Sequence, residues 1–344
     1  MSDPQRQSLI RKLLKTLPGL AISAFFLWRT FRGISYAQIR SLHIVAPAWF
    51  AGIVVFSIAS YTLRSARWTR MMRSARTPFL TCARVLMTSL AANNILPLRI
   101  GDIMRVFTYA PDLGASPSFI LSTVILEKFL DIFVLSVLFV LTMADGFSPK
   151  VRLGASLAVG VSALGILTLL IGARWLAGPL SRLFARLPRH HLLVKLEHWI
   201  ILALDCIRQI GLLGTLTLFL FTCSIWSCET VIYLSFARLV GLRLTGLALG
   251  FLGTANAVAF VNLSFLIPSS PGGIGPFEAA AQKCLAAHGA NPARAALLGL
   301  ALHVWMLITI TGVGGTWFLV HRARRHIRTP LLTEIETLPE ELPG

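Results

Sequence analysis

What this chain lacks most is charge. Asp, Glu, Lys and Arg make up 13% of its 344 residues, about half the share found in a soluble domain. Together with 55% hydrophobic residues and a mean hydropathy of +0.73, this sets the chain among membrane proteins. Cysteine is sparse as well. Cys82, Cys206, Cys223, Cys228 and Cys284 are scattered, and none forms a CxxC pair. An odd, dispersed set argues against a disulfide framework or a zinc site; these residues read as small core side chains. No Walker loop, dinucleotide fingerprint, nucleophile elbow or zinc-protease motif occurs. The chain therefore reads as a protein without catalytic residues, cofactor or metal. His190, His191, Glu197 and His198 resemble ligands only superficially, because they sit in a basic surface segment. A cleavable signal is also missing. Arg11, Lys12 and Lys15 precede the apolar stretch Leu17–Trp28, but no small-x-small site follows before Arg29. This reads as a first anchor.

What is present is a basic excess, a net charge of +18. Most of the basic residues flank apolar segments, which is the pattern of positive-inside topology and anionic headgroup contact rather than nucleic-acid binding. Apolar spans are expected at Leu13–Trp28, Val45–Leu63, Ser118–Ala144, Leu153–Ala173, Ile210–Ala237 and Ala295–Val320. Two further apolar stretches, Thr77–Ala110 and Leu244–His288, are interrupted by Pro and Gly. If both stretches return to the side they start from, the N-terminus, residues 64–76, residues 174–208 and the C-terminal tail all lie inside with 19 Lys/Arg, against 7 in the outer loops. The expected fold class is thus all-α, a polytopic integral membrane helical bundle with six full crossings and two re-entrant hairpins. A span, a hairpin and a span occur twice from opposite faces, the plan of an inverted repeat. The expected organisation is a cytoplasmic tail over 1–12, one transmembrane domain over 13–322, and an acidic cytoplasmic tail over 323–344.

The two interruptions carry the polar chemistry. The run Leu244–Phe277 holds 34 residues without a charge, ends in three prolines and three glycines, and is followed by Glu278. Proline removes a donor and glycine loosens the backbone. In hydrocarbon such a break is tolerated only where protein buries it or it lines a wet cavity. Gly272 and Gly273 can form an anion nest of exposed amides. Glu278 would repel an anion there, so the expectation is a pair with Arg99 or Arg105, or a proton carrier. The first interruption turns at Asn94, Pro97 and Gly101. Arg99 and Arg105 flank Asp102 at helical spacing and would clamp a phosphate, guanidinium matching phosphate oxygens as a fork. The alternative is a structural ion pair. Glu127 and Asp131, spaced i, i+4, and the lone Glu229 are intramembrane carboxylates, read as proton carriers or ion-pair partners. His303 reads as a packing residue.

Four segments together resemble a known family: RSARWTRMM (Arg64–Met72), NNILPLRIGDIMRVF (Asn93–Phe107), VILEKFLDIFVL (Val124–Leu135) and IPSSPGGIGPFEAA (Ile267–Ala280). They look like the signatures of the lysylphosphatidylglycerol synthase transmembrane (flippase-like) family, over about residues 10–322. Asp102 stands where a glutamate is common. Bifunctional members join this membrane part to a cytoplasmic aminoacyl-transferase, and the 24 residues after Val320 leave no room for one. The resemblance implies the translocation half alone: a protein of the bacterial inner membrane, with both termini cytoplasmic, moving a phospholipid, glycolipid or prenyl-linked lipid between leaflets. The implied partners are membrane lipids with anionic headgroups, and enzymes of lipid biosynthesis. The competing expectation is a membrane-embedded enzyme or accessory subunit of an envelope pathway.

Overall fold

The computed structural model describes residues 18–40, 43–142, 148–175, 182, 191–242, 250–266 and 270–336. Among these residues the fold is entirely helical. Helix α1 covers residues 18–31, followed by α2 (Tyr36–Arg40), α3 (Trp49–Met71), α4 (Phe79–Ile95), α5 (Ile100–Phe107), α6 (Ala110–Leu113), α7 (Pro117–Thr142) and α8 (Pro149–Trp175). Then come α9 (His191–Leu239), α10 (Phe251–Ser264), α11 (Pro276–Ala287) and α12 (Pro292–Glu336). Gly211 (φ 63°, ψ −179°) interrupts α9, so its apolar part is Leu213–Leu239.

Among the described residues, three helical segments are long and apolar enough to cross a membrane: Trp49–Ala75, Leu213–Leu239 and Pro292–Ala323. Helix α7 has the length too, but it carries Glu127, Lys128 and Asp131 in its middle. Large apolar side chains such as Ile58, Leu80, Leu141, Leu220 and Leu319 face outward. A helix surface that is apolar inside and out belongs in lipid. This is a multi-pass membrane protein.

The two interrupted stretches fold as helical hairpins, α4 with α5 and α10 with α11. Each arm is shorter than the about 20 residues a crossing needs. The residues flanking each hairpin lie close together. The Thr77 hydroxyl donates to the Leu113 carbonyl at 2.7 Å, tying the ends of the first. Gly241 and Leu242, ahead of the second, share an open cavity with Gly289 and Ala290 beyond it. Helices α3 and α9 run antiparallel, pinned by Val45 N–H on the Leu239 carbonyl at 2.8 Å and by Ser60 on Glu229. The hairpins then pack crosswise, α4 on α12 and α10 on α7. Close approach depends on small residues. A Cβ at Gly314 would overlap the Met87 carbonyl, and one at Gly299 would sit 2.7 Å from Ala281.

Three boundaries differ from the sequence reading. Helix α3 does not end at Leu63; it continues through Arg64, Arg67 and Arg70 to Met71, and Arg67 is buried. Arg64 and Arg67 have partners inside the bundle and Arg70 is exposed, so the helix need not stop for them. Helix α12 runs through the basic stretch after Val320 as far as Glu336, since Arg is a good helix former. Gly101 does not make the first turn. It lies inside α5, where a Cβ would collide with the Ser89 carbonyl of α4; its smallness seats one arm on the other. The basic segment 174–208 and the cluster His190, His191, Glu197 and His198 lie largely outside the described residues and side chains.

Candidate functional site

The first hairpin breaks because Pro97 cannot continue α4. Leu96 is extended (φ −99°, ψ 143°), Pro97–Arg99 form a 3-10 turn, and Arg99 itself reverses the chain with φ 52°, ψ 41°. A left-handed arginine is strained, and such residues cluster where structure over-determines them. The Arg99 side chain is exposed and donates from Nη2 to the Phe265 carbonyl of the second hairpin at 3.3 Å. Asn94 donates to the Thr311 hydroxyl of α12 at 3.2 Å.

The second break has φ of 72°, 75° and 101° at Gly272, Gly273 and Gly275. A Cβ on Gly272 would meet the Asn94 carbonyl at 3.4 Å, and one on Gly275 the Ser23 carbonyl of α1 at 2.6 Å. The two tips thus touch backbone to backbone, with α1 closing one side. Glu278 holds the turn. Its Oε2 accepts the Gly275 N–H at 2.7 Å, the reciprocal arm of a capping box. Its Oε1 lies 2.6 Å from His303 Nδ1, and His303 Nε2 lies 2.9 Å from the Gly272 carbonyl. Phe277 stacks on the imidazole at 4.2 Å.

Behind the tips, four cations meet four carboxylates. Arg67 grips Asp131 with both terminal nitrogens, at 2.6 and 3.1 Å, and donates to Thr222 at 2.8 Å. Trp226 adds an indole N–H to Asp131 at 3.3 Å. Arg64 donates to Glu229 at 3.0 Å and lies over the Trp226 ring. Arg105 donates to Glu127 at 3.1 Å and lies over Trp68. Lys128 stands 3.5 Å from Glu127 and 3.9 Å from Asp102, which is also bonded to Asn93. An uncompensated charge at membrane depth costs about 3 kcal/mol or more. Matching every carboxylate to a cation lets the row cross from α9 through α3 and α7 to α5.

The geometry revises several expectations. Arg99 and Arg105 do not converge as a phosphate clamp positioned by Asp102: Arg105 is turned inward to Glu127, and Asp102 is held by Asn93 and Lys128. The α5 backbone sends the residue at the tip outward and the residue a turn and a half on inward. Glu278 pairs with His303 rather than with Arg99 or Arg105. The Gly-Gly nest is partly filled, because the Gly273 N–H bonds the Ser270 carbonyl and the Gly275 N–H bonds Glu278. Of the sequence candidates, Asn94, Arg99, Gly272, Gly273 and Glu278 meet at the tips, while Asp102, Arg105, Glu127, Asp131 and Glu229 belong to the ion-pair row. Arg64, Arg67, Trp226 and His303 were missed as site residues. The regular spacing Arg64, Arg67, Arg70 was the available signal, since three-residue steps place cations along one helix face. His303 carried no local signal.

Crossed helical hairpins meeting within a bundle, with paired charges behind them, define a membrane protein built to shelter polar groups inside an apolar frame. The chain belongs to the family described as lysylphosphatidylglycerol synthase TM region, whose family model matches residues 17–314. That places it among membrane proteins of lipid or cell-envelope metabolism. No curated protein matches the chain.

Proposed function

We propose that the protein moves the polar head of a membrane lipid between leaflets, the chains staying in the bilayer. In this reading the bundle makes six crossings in the bacterial inner membrane with both termini cytoplasmic, and the two hairpins re-enter from opposite faces. The observation that carries it is the meeting of the two tips, with the exposed Arg99 guanidinium lying on the Phe265 carbonyl of the opposite hairpin. Arg99 is the headgroup contact: a guanidinium held at the junction of two turns, its remaining donors open to a phosphate. Family membership supports a lipid as cargo, whether phospholipid, glycolipid or prenyl-linked lipid. Translocation is favoured over bond chemistry because the carboxylates that hydrolysis would recruit are engaged, Asp131 by Arg67, Glu127 by Arg105, Glu229 by Arg64 and Glu278 by His303.

The test is reconstitution into vesicles with fluorescent anionic phospholipid and a membrane-impermeant quencher. Wild-type protein is expected to accelerate leaflet exchange, Arg99→Ala to slow it by about tenfold, the worth of one charge-assisted contact, and Arg99→Lys to recover part of the loss. Exchange by Arg99→Ala at the wild-type rate, in protein that elutes as a folded species, would overturn the assignment of Arg99.

A further inference from the structure

The hydrogen bonds of His303 fix how many protons its site holds. The Gly272 carbonyl can only accept, so Nε2 carries a hydrogen. The other ring nitrogen faces a carboxylate oxygen at 2.6 Å, and that contact also needs one hydrogen, on either the nitrogen or the oxygen. Imidazolium with carboxylate and imidazole with carboxylic acid are the two forms, and both are neutral overall. The side chains are 1% and 2% exposed. Removing the proton in the Nδ1···Oε1 bond would set a buried carboxylate against a nitrogen lone pair.

We propose that Glu278 and His303 form one proton-binding site that latches the second helical break to α12. When the proton is present, His303 holds the Gly272 carbonyl and Glu278 holds the Gly275 N–H, so both ends of the glycine turn are fixed to one dyad. When it leaves, the imidazole keeps one hydrogen for two acceptors; the carboxylate, the stronger acceptor, holds it at Nδ1, Nε2 is left with a lone pair facing the Gly272 carbonyl, and the turn facing Asn94 is released. The turn is suited to two states, because its three left-handed glycines tolerate reversal that other residues resist.

Among the described residues, few titratable groups stand near this proton. Against the corner, α1 presents Ser23, α4 presents Asn94 and the residue after α10 is Phe265, none of which titrates; α9 presents Tyr233, on the side of Cys284. Arg99 lies at the Phe265 carbonyl, and α3 presents Tyr61 farther along α12, at Thr309. On α11 itself the other titratable side chains are Lys283, Cys284 and His288, of which Cys284 faces Asn256 and His288 faces its own helix carbonyl. As part of a transport cycle the latch rests on the function proposed above; as a proton site it does not.

The test needs no cargo. Hydrogen–deuterium exchange is followed over residues 270–280 in purified protein in nanodiscs, as protection factors corrected for intrinsic rates, from about pH 6 to about pH 9. Wild-type protection is expected to fall by about tenfold as the proton is lost, while peptides of α9 stay constant. Glu278→Gln is the decisive variant. Its amide N–H can donate to Nδ1 and its amide oxygen can accept from Gly275, reproducing the protonated form with no proton to lose. It is expected to keep the low-pH protection throughout. His303→Phe should be unprotected at every pH. Protection that is constant with pH in wild-type protein, or that falls equally in Glu278→Gln, overturns the latch. Either result leaves the lipid-exchange measurement on Arg99 standing, and failure of lipid exchange leaves the exchange profile standing.

Discussion

Arg67 shows what one residue contributes. The residue is 1% exposed, and its guanidinium is bound to both oxygens of Asp131. Removing one partner of such a pair strands a buried charge, which costs about 3 kcal/mol or more. Arg67→Met is therefore expected to lower the detergent melting temperature sharply, measured by fluorescence-detected size exclusion. The double variant Arg67→Met with Asp131→Leu should recover most of the loss, because two apolar groups of similar bulk leave nothing unpaired. Arg99 makes the opposite case. Its φ of 52° is costly for a side chain with a Cβ and costless for glycine. Arg99→Gly should raise stability by about 1 kcal/mol in the same melting assay, while slowing lipid exchange as Arg99→Ala does. A variant that melts higher yet transports worse would mark strain kept for function. Both residues are arginines in Arg-rich stretches, and composition alone treats them alike. Only partner and dihedral separate the buried strut from the exposed contact.

At the scale of elements, the breaks were the legible part. Pro97 ended α4 where a missing N–H requires, and the glycines at 272, 273 and 275 all took left-handed conformations. The helix pairings were not legible. Nothing in the local sequence of α4 announces that it packs on α12, because that contact joins residues more than two hundred positions apart and depends on smallness at both surfaces. Gly314 is the seam: its Cα side lies on the Met87 carbonyl and the Ala91 methyl. Gly314→Val is expected to push α12 off α4 and abolish recovery of monodisperse protein. Gly312, with open space at its Cβ position, should accept the same change with an unaltered elution profile. This contrast separates packing from the general cost of β-branching within a helix, which is small, about half a kcal/mol.

At the scale of the whole molecule, the arrangement of long helix, hairpin, long helix is repeated by α3, α4–α5 and α7 and by α9, α10–α11 and α12. The hydrogen-bonded ends put Thr77 with Leu113 at one end of the bundle and Val45 with Leu239 at the other. If the bundle sits in the membrane as proposed, single cysteines placed at Ser74 and Arg322 should label from the cytoplasmic side, and those at Ser148 and Gly241 from the opposite side. Labelling of Ser74 and Ser148 from the same face would sink the six-crossing arrangement. The crosswise packing of the hairpins gives the molecule its polar interior. Each hairpin leans on helices of the other half, so the two breaks meet where neither half alone could cover them.

The sequence by itself determined the helical class, the membrane setting and the position of both breaks. These follow from local properties: apolar length, missing amide donors, and glycines free to take positive φ. It also marked Arg99 and Glu278 as unusual by their placement beside prolines and glycines. The tertiary structure decided which charges neutralise one another. Arg105 went to Glu127, Asp102 to Lys128 and Asn93, and Glu278 to a histidine that gave no sign of its role. Pairing depends on distances across helices, and in a low-dielectric interior a few ångströms decide whether a charge is a strut, a contact or a proton site.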